Sequence, residues 1–315
     1  MTLASAWLTV VVGSGNEQES AAAFGHGLSA APCRSGRPLP TSAFGAEARP
    51  MLSFLEPISL GVVVGIGPVV GIVVRCREGR TVTSKHRNKP DMPSVWIVVA
   101  AFNEAAVLSP IVSDLVRRSY RVVVVDDGSH DGTGQIAFSA GATVVAHLVN
   151  PGQGAALQTG INFALQQGAD YVVTFDADGQ HRPSDIARLI DALVDHDAAY
   201  ALGSRFLGSS RGMPLGRRLL LQAAVWLTRG MTGLRLTDTH NGLRAMTREG
   251  ASRISLRQNR MAHASELLEQ IAASGLRHVE VPVTIDYTGY SLAKGQRLSD
   301  SVAILFDLSA QKLHR

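Results

Sequence analysis

The sequence predicts an α/β fold in which a mostly parallel sheet carries helices on both faces. The first observation is that short runs rich in Val and Ile alternate with longer segments whose apolar residues recur at helical spacing. The second is that polar residues follow several of these runs, as expected where strands end at a ligand-binding edge. The predicted strands are residues 94–101, 122–125, 143–147, 171–175 and 200–203, and the predicted helices between them include residues 104–119, 154–167 and 184–195.

Each early element has its own local pattern. The strands are continuous apolar runs, which is typical of strands buried on both faces. The helix at 104–119 is predicted by apolar residues on one face: Val107, Ile111 and Leu115 are four residues apart, and Val116 adjoins Leu115. The turn after the second strand offers Asp131 or Ser129 as a cap for a further helix.

The alternation breaks after residue 203. We predict a mobile basic loop at residues 205–218, because this segment contains four arginines among Gly, Ser and Pro. The arginines are Arg205, Arg211, Arg217 and Arg218. The remaining predicted elements are an apolar helix at 219–231, a polar turn at 238–244, a helix at 264–273, a strand at 279–285 and a last helix that ends at Leu313.

The N-terminal part predicts a disordered segment and a membrane anchor ahead of the globular domain. Residues 1–50 are rich in Gly, Ala, Ser and Pro and show no sustained period. Residues 58–74 carry no charge, so residues 51–75 predict a membrane helix, although a buried core element or a re-entrant hairpin would fit the same short segment. The basic linker at 76–93 would place the domain at 94–315 in the cytoplasm.

Composition narrows the range of partners. The chain has 315 residues, a net charge of +4 and a pI of about 9.3, which permits an anionic partner. Only 5% of the residues are aromatic, which gives few stacking surfaces for single-stranded nucleic acid, and no nucleic-acid partner is expected. The two cysteines are too few for a disulfide framework and favour a reducing compartment.

The turn after the strand at 171–175 predicts a metal site. Asp176 and Asp178 are separated by Ala177 and followed by Gly179, and Gln180 offers a neutral oxygen. A divalent cation that also meets substrate phosphates usually takes one or two protein carboxylates. The alternative is an Asp-rich turn that only bonds its own backbone.

Two other strand ends and one Gly-rich helix entry predict a nucleotide site. Asn103 and Glu104 follow the first strand, and Asp126 and Asp127 end the second. Carboxylates there can accept hydrogen bonds from ribose hydroxyls and a base edge, although each alone also fits a helix cap. The segment 150–156, which contains Gly154, would let its backbone approach a ligand closely.

Six ordered motifs resemble those of the family 2 glycosyltransferases, and within them the polyprenyl-phosphate hexosyltransferases similar to dolichol-phosphate mannose synthase. They are Ala101-Phe102-Asn103-Glu104, Asp126-Asp127-Gly128-Ser129, the segment 150–156, Asp176 to His181, Gly203-Ser204-Arg205 and Asp238 to Arg244. The resemblance covers residues 94–313 and implies a nucleotide-sugar-binding domain of the glycosyltransferase A type. The chain departs from the family pattern at Ala100 and Phe102, where Pro and Tyr are usual, and at Leu243, where Phe is usual.

The resemblance implies roles for individual residues. Phe102, Glu104 and Asp127 would hold the nucleoside, and Asp176, Asp178 and Gln180 would surround Mg²⁺ or Mn²⁺. The wider nucleotide-sugar site would comprise Phe102, Asn103, Glu104, Asp126, Asp127, Gly154, Asp176 and Ala177. Arg205 and Arg218 would meet a phosphate of the acceptor or donor. A hydroxyl acceptor would need a base, for which Asp238 is the candidate and a turn residue the alternative.

Together these features predict a metal-dependent, inverting glycosyltransferase. It would move a hexose from a UDP- or GDP-sugar to a polyprenyl phosphate, at the cytoplasmic face of the inner membrane, with a small membrane protein or a second copy as possible partner. Alternatives are a glycosyltransferase with a hydroxyl acceptor, a sugar-phosphate nucleotidyltransferase and a catalytically silent membrane scaffold. In the last third of the chain, His240 and His263 are predicted to have structural roles, and Glu266 is a further candidate for the site.

Overall fold

The structure is a computed structural model that describes residues 62–63, 72–75, 93–258 and 262–290. Its strands are β1 (Val62–Val63), β2 (Ile72–Arg75), β3 (Val95–Ala101), β4 (Arg121–Asp126), β5 (Thr143–His147), β6 (Tyr171–Asp176), β7 (Tyr200–Arg211), β8 (Arg244–Thr247) and β9 (His278–Asp286). Its helices are α1 (Ala105–Arg117), α2 (Thr133–Ser139), α3 (Gln153–Gln166), α4 (Asp185–Asp195), α5 (Leu215–Thr232), α6 (Arg248–Ser252) and α7 (Ala262–Ser274).

These strands form one mixed sheet in the order β1-β2-β5-β4-β3-β6-β8-β7-β9. The centre is parallel, because β3 runs parallel to both β4 and β6, and β5 runs parallel to β4. In register, Ala101 lies opposite Asp126 and Ala100 lies opposite Asp176. The predicted α/β sheet with a parallel centre is therefore confirmed, and the carboxyl ends of three strands meet at one edge.

Helices cover both faces of the sheet because successive side chains of a strand point to opposite sides. Ile97 and Val99 of β3 pack in one core with residues of α1 and α4. Trp96 and Val98 of the same strand pack in a second core with residues of α3 and α7. The sheet is therefore packed on both faces, which holds the strand ends in place.

The second half of the sheet differs from the prediction. β7 extends to Arg211 because it pairs in parallel with β9, across an irregularity between Ser204 and Ser209. The predicted mobile loop at 205–218 is therefore wrong: its first half is strand, and α5 begins at Leu215. β8 was also missed, and it lies antiparallel between β6 and β7 where only the end of a polar turn was predicted.

The predicted membrane helix at 51–75 falls mostly outside the described residues. Its two described pieces are strands, since β1 pairs antiparallel with β2, and β2 pairs antiparallel with β5. The β-branched sequence of β2 favours a strand over a helix. In the part of the chain that the structure describes, no helix has the length and apolar character to cross a membrane. Residues 1–50, nearly all of 76–93 and the predicted last helix lie outside it.

Candidate active site

A cavity of about 490 Å³ opens at the carboxyl ends of β3, β4 and β6. Asp127, which follows β4, and Asp178, which follows β6, both line it. The predicted site residues that line this cavity are Phe102, Glu104, Asp127, Asp176, Ala177, Asp178, Gln180 and Arg205. The fold therefore brings acidic groups from separate strand ends and one predicted arginine into the same space.

Asp127 is held in a fixed orientation by two hydrogen bonds. Its Oδ1 lies 2.8 Å from Nδ1 of His147, and its Oδ2 accepts the backbone N–H of Gly152 at 3.0 Å. The other ring nitrogen of His147 lies 3.1 Å from Oγ1 of Thr159. His147, which was not among the predicted site residues, is fully buried and keeps the Asp127 carboxylate in place.

Asp176 is positioned by a histidine and by a glycine. Nε2 of His181 lies 2.9 Å from Oδ2 of Asp176. Gly242 lies so close to the same carboxylate that a Cβ atom at this position would collide with it. Burial raises the pKa of Asp176, but the hydrogen bond from His181 and the charges of His181 and Arg244 outweigh it and lower the pKa below 3.8. The Asp176 carboxylate is therefore ionised at neutral pH.

Asp178 is a partly buried carboxylate next to this charge. Burial, followed by the charge of Asp176, raises the pKa of Asp178 above its usual value. The backbone N–H of Gln180 donates to Oδ1 of Asp178 at 3.1 Å, and the side-chain amide donates to Oδ2 at 2.7 Å. Two carboxylates that repel each other in a partly desolvated site are stabilised by a cation.

The oxygen donors of this turn suit a hard divalent cation, with Asp176 and Asp178 as carboxylate ligands and Gln180 beside them. Within the described residues there is no group of three or more His, Cys, Asp or Glu side chains that could hold a metal. A site with two protein carboxylates is the arrangement expected for an ion that is completed by substrate phosphates and water.

Arg205 is buried, and each of its three nitrogens has a partner. Nε donates to Oδ2 of Asp238 at 2.6 Å, Nη1 to the hydroxyl of Tyr287 at 2.7 Å and Nη2 to the carbonyl oxygen of His240 at 2.7 Å. Burial lowers the pKa of Arg205, but Asp238 and Tyr287 outweigh it and raise the pKa above its usual value. Asp238, the predicted base, is 3% exposed and is not among the described residues that line the cavity.

Two arginines that were not predicted as site residues also line the cavity. Arg217 lies with its guanidinium carbon 5.3 Å from the ring centroid of Tyr287. Arg218, which was predicted as a site residue, is exposed and is not among the described residues that line the cavity. Successive residues of a helix point about 100° apart, so Arg217 and Arg218 face different directions. Arg244, the first residue of β8, lines the cavity and is 5% exposed.

Two of the predicted nucleoside residues, Phe102 and Glu104, also line the cavity. Phe102 is 40% exposed there, whereas Glu104 is buried. Oε2 of Glu104 accepts a hydrogen bond from the hydroxyl of Tyr290 at 2.8 Å. Burial and the bond to Glu104 raise the pKa of Tyr290 to about 12, so the phenol keeps its proton. This contact connects the end of the described chain to the site.

Three predicted nucleotide-site residues, Asn103, Asp126 and Gly154, are not among the described residues that line the cavity, and their contact with a nucleotide stays a prediction. Asn103 has a φ of 53°, and its Oδ1 accepts a backbone hydrogen bond from the loop after β4. Oδ1 of Asp126 accepts the N–H of Ser129 in the same loop. Gly154 packs against the backbone of Gln258, where a Cβ atom would collide with the carbonyl oxygen.

His240, His263 and Glu266 lie at different places relative to the cavity. The carboxylate of Glu266 accepts the backbone N–H groups of Arg257 and Gln258, so it supports the loop before α7. His240 and His263, by contrast, line the cavity. Burial lowers the pKa of His240 to about 4, so its ring is neutral at pH 7.

Comparisons with known proteins agree with this geometry. Residues 96–252 match the model of the family described as glycosyl transferase family 2. A UDP-N-acetylglucosamine–dolichyl-phosphate N-acetylglucosaminyltransferase of Methanococcus voltae is 31% identical over 70% of this chain and 96% of its own length. The polyprenol monophosphomannose synthase of Mycolicibacterium smegmatis is 32% identical over 60% of this chain and 76% of its own.

The fold also resembles a solved structure. The crystal structure of glucosyl-3-phosphoglycerate synthase from Mycobacterium tuberculosis, in complex with Mn²⁺, UDP-glucose and phosphoglyceric acid, aligns with a TM-score of 0.52. The alignment covers 70% of this chain and 79% of that chain at 20% sequence identity. At this identity, the likeness concerns the fold.

Proposed function

The chain belongs to glycosyl transferase family 2, and we propose that it moves a hexose from a UDP- or GDP-sugar to a polyprenyl phosphate. The observation that carries the proposal is that Asp127, Asp178 and Arg205 come from separate parts of the sheet and line one cavity. The acceptor class is supported by the two relatives above, whose names contain dolichyl phosphate and polyprenol.

In this proposal the donor nucleoside lies against Phe102, Glu104 and Asp127. The exposed ring of Phe102 offers an apolar surface to the base. The carboxylates of Glu104 and Asp127 accept hydrogen bonds from the base edge and the ribose hydroxyls. Because His147 and Gly152 already hold Asp127, its carboxylate does not need to reorient when the donor binds.

The donor diphosphate lies at Asp176 and Asp178, where Mg²⁺ or Mn²⁺ would be held with help from Gln180. When bound, such an ion neutralises charge that develops on the leaving diphosphate. Arg205 and Arg217 add positive charge to the same cavity. Arg205 is fixed by its bonds to other residues, so its contribution is preorganised.

Transfer forms a bond between a phosphate oxygen of the acceptor and the anomeric carbon, while the bond from that carbon to the donor diphosphate breaks. Attack from the side opposite the leaving group inverts the configuration. A phosphate acceptor is already ionised at neutral pH, so no base has to remove a proton. Asp238, the candidate base for a hydroxyl acceptor, already accepts a hydrogen bond from Arg205, which supports a phosphate acceptor over a hydroxyl acceptor.

The exposed face of α5 supports an acceptor that resides in a membrane. Leu215, Leu219 and Trp226 are 79%, 68% and 77% exposed and lie within about 40° of one another around the helix. Arg218 flanks this stripe and is exposed as well. An apolar stripe with Trp and neighbouring arginines is typical of helices that lie in a membrane interface. Arg217 lies on the opposite face of the same helix and lines the cavity, so α5 lies between the proposed membrane surface and the site.

A transfer assay tests the proposed function. Purified protein is mixed with Mn²⁺, a labelled UDP- or GDP-hexose and undecaprenyl phosphate, and lipid is extracted into organic solvent. We expect labelled lipid from the wild type and from Asp195→Asn, an exposed change on α4, and roughly a hundredfold less from Asp178→Asn. If no common sugar nucleotide gives labelled lipid, the acceptor assignment is wrong, and label on a hydroxyl acceptor would support the alternative.

Vesicle binding tests the membrane part of the proposal. Trp226→Ser should reduce flotation with vesicles that contain anionic lipid, because it removes an interfacial ring. Val194→Ser is the matched control, since Val194 is 62% exposed on α4, a different helix. Equal flotation of the two variants and the wild type would show that the α5 face does not bind the membrane. The cytoplasmic face of the inner membrane stays the predicted location.

A further inference from the structure

Asn241 carries a buried donor without a partner. Asn241 is 3% exposed and lines the cavity, and its Nδ2 has no hydrogen-bond partner within the described residues. Its Oδ1 accepts the backbone N–H of Leu243 at 3.0 Å, which fixes the orientation of the amide. A buried donor is costly to leave unpaired, so this N–H group is expected to meet a ligand or water in the cavity.

Arg244 is a second donor of this kind. It lines the cavity and is 5% exposed, and its guanidinium forms no hydrogen bond or ion pair with any residue that the structure describes. Burial lowers the pKa of Arg244, and the more distant charges of Asp176 and Asp238 offset this only in part. Because arginine stays protonated in proteins, Arg244 is a buried cation that an anion would stabilise.

The sheet holds both donors in place. Arg244 lies opposite Thr174 in the antiparallel pairing of β6 with β8. Oγ1 of Thr174 also donates to the carbonyl oxygen of Gly242 at 2.7 Å, which fixes the segment between the two donors. Gly242 lies against the Asp176 carboxylate, so Asn241 and Arg244 belong to the part of the cavity next to the proposed diphosphate position.

We propose that Nδ2 of Asn241 and the guanidinium of Arg244 form a phosphate-binding subsite. This inference rests on the proposed function and adds a site to it. A neutral ligand such as a sugar hydroxyl would leave the charge of Arg244 uncompensated, whereas a phosphate oxygen satisfies both donors. The phosphate belongs either to the donor diphosphate or to the acceptor lipid, because both would enter this cavity.

Binding measurements with several probes test the subsite. The probes are UDP, inorganic diphosphate, uridine and farnesyl phosphate, each titrated calorimetrically with Mn²⁺ present. Arg244→Met and Asn241→Leu remove the two donors, and Arg244→Lys keeps the charge but changes the donor geometry. Arg253→Met is the matched control, because the Arg253 side chain is 61% exposed in a surface ion pair with Glu249. Thermal unfolding of the ligand-free protein is measured for each variant.

We expect Arg244→Met to weaken at least one phosphate probe about tenfold or more, with uridine unchanged. A loss for UDP and inorganic diphosphate assigns the donor, and a loss for farnesyl phosphate assigns the acceptor. We also expect the ligand-free Arg244→Met protein to unfold no lower than the wild type, because an unpaired buried charge is removed.

The subsite is overturned if the wild type binds the phosphate probes and Arg244→Met binds them equally well. It is also overturned if uridine weakens as much as UDP, which would indicate a general structural change. If Arg244→Met does not fold, Arg244→Lys and Asn241→Leu decide by the same criteria. A wild type that binds none of the phosphate probes also overturns the subsite, whereas the transfer assay decides the proposed function separately, so the two failures are distinguishable.

Discussion

Nε of Arg205 lies 2.6 Å from Oδ2 of Asp238, and both side chains are nearly fully buried. The backbone N–H of Arg205 donates to the same oxygen at 3.1 Å. Asp238 is itself held by Glu280, whose carboxylate accepts the backbone N–H of Asp238 at 3.2 Å. The ion pair therefore joins β7, β9 and the turn before β8, and it orients Arg205, one of the arginines that line the cavity.

Asp238→Asn is expected to destabilise the protein because it leaves the buried charge of Arg205 without its partner. The cost of breaking such a pair is about 3 kcal/mol or more. Chemical denaturation measures the free energy of unfolding. The control is Asp114→Asn, which breaks exposed pairs with Arg117 and Arg118 and should cost no more than about 1 kcal/mol.

A different result would reassign Asp238. If Asp238→Asn has wild-type stability and loses transfer to a hydroxyl acceptor, Asp238 acts as the base that the sequence motif predicted. Loss of stability together with weaker transfer to a phosphate acceptor would support the positioning of Arg205.

His147→Leu should weaken UDP binding because Asp127 loses the ring that orients its Oδ1. We expect roughly a tenfold loss of affinity from one hydrogen bond to a charged group. Calorimetric titration with UDP measures this effect. His196→Leu, an exposed change at the end of α4, serves as the control and should bind UDP as the wild type does. Equal affinities in the two variants would mean that His147 does not position Asp127.

Gly242→Ala should displace the Asp176 carboxylate, since the new methyl group has no room beside it. A shift of about 1 Å at a reacting site can lower the rate by about a hundredfold, so we expect a loss of that order in sugar transfer. Gly230→Ala on α5 is the control, because a Cβ atom there meets nothing within 4 Å. Full transfer activity in Gly242→Ala would show that Asp176 tolerates displacement.

The lowered pKa of His240 predicts that the stability of the protein depends on pH. Burial lowers the pKa of His240 from its ordinary value of 6.5 to about 4. Below pH 6.5 the unfolded chain therefore binds a proton at His240 that the folded chain does not bind. Its stabilising contribution is complete above pH 6.5 and is lost as the pH falls toward 4. Between pH 7 and pH 5 the wild type should lose about 1 to 2 kcal/mol more unfolding free energy than His240→Gln. Equal losses of unfolding free energy in the wild type and His240→Gln would contradict a lowered pKa of His240.

Much of the fold follows from local patterns. The strand at Thr143–His147 and the helix at Asp185–Asp195 are continuous, periodic segments whose sequence alone indicates their conformation. The extension of β7 to Arg211 is different, because its Gly- and Ser-containing sequence has little strand preference and is held by pairing with β9. β8 is only Arg244–Thr247 and becomes a strand by lying between β6 and β7.

In the candidate site, too, some features follow from the local sequence and others depend on tertiary contacts. Acidic residues at strand ends are visible in the sequence, and parallel pairing brings Asp127 and Asp178 to one cavity. The partner of Asp127 is His147, twenty positions away, and no local pattern indicates that contact. Arg217 rather than Arg218 lines the cavity because α5 begins at Leu215, which sets the phase of the helix. Such choices depend on tertiary contacts.

The most direct measurement is calorimetric titration of UDP and GDP into the wild type, Asp127→Asn and Asp178→Asn with Mn²⁺ present. The two carboxylates follow different strands and line one cavity, so each substitution is expected to weaken binding of the same nucleotide by about tenfold or more. Removal of Mn²⁺ should weaken the wild type and have little further effect on Asp178→Asn. Nucleotide binding by the wild type that neither substitution alters would contradict a shared donor site.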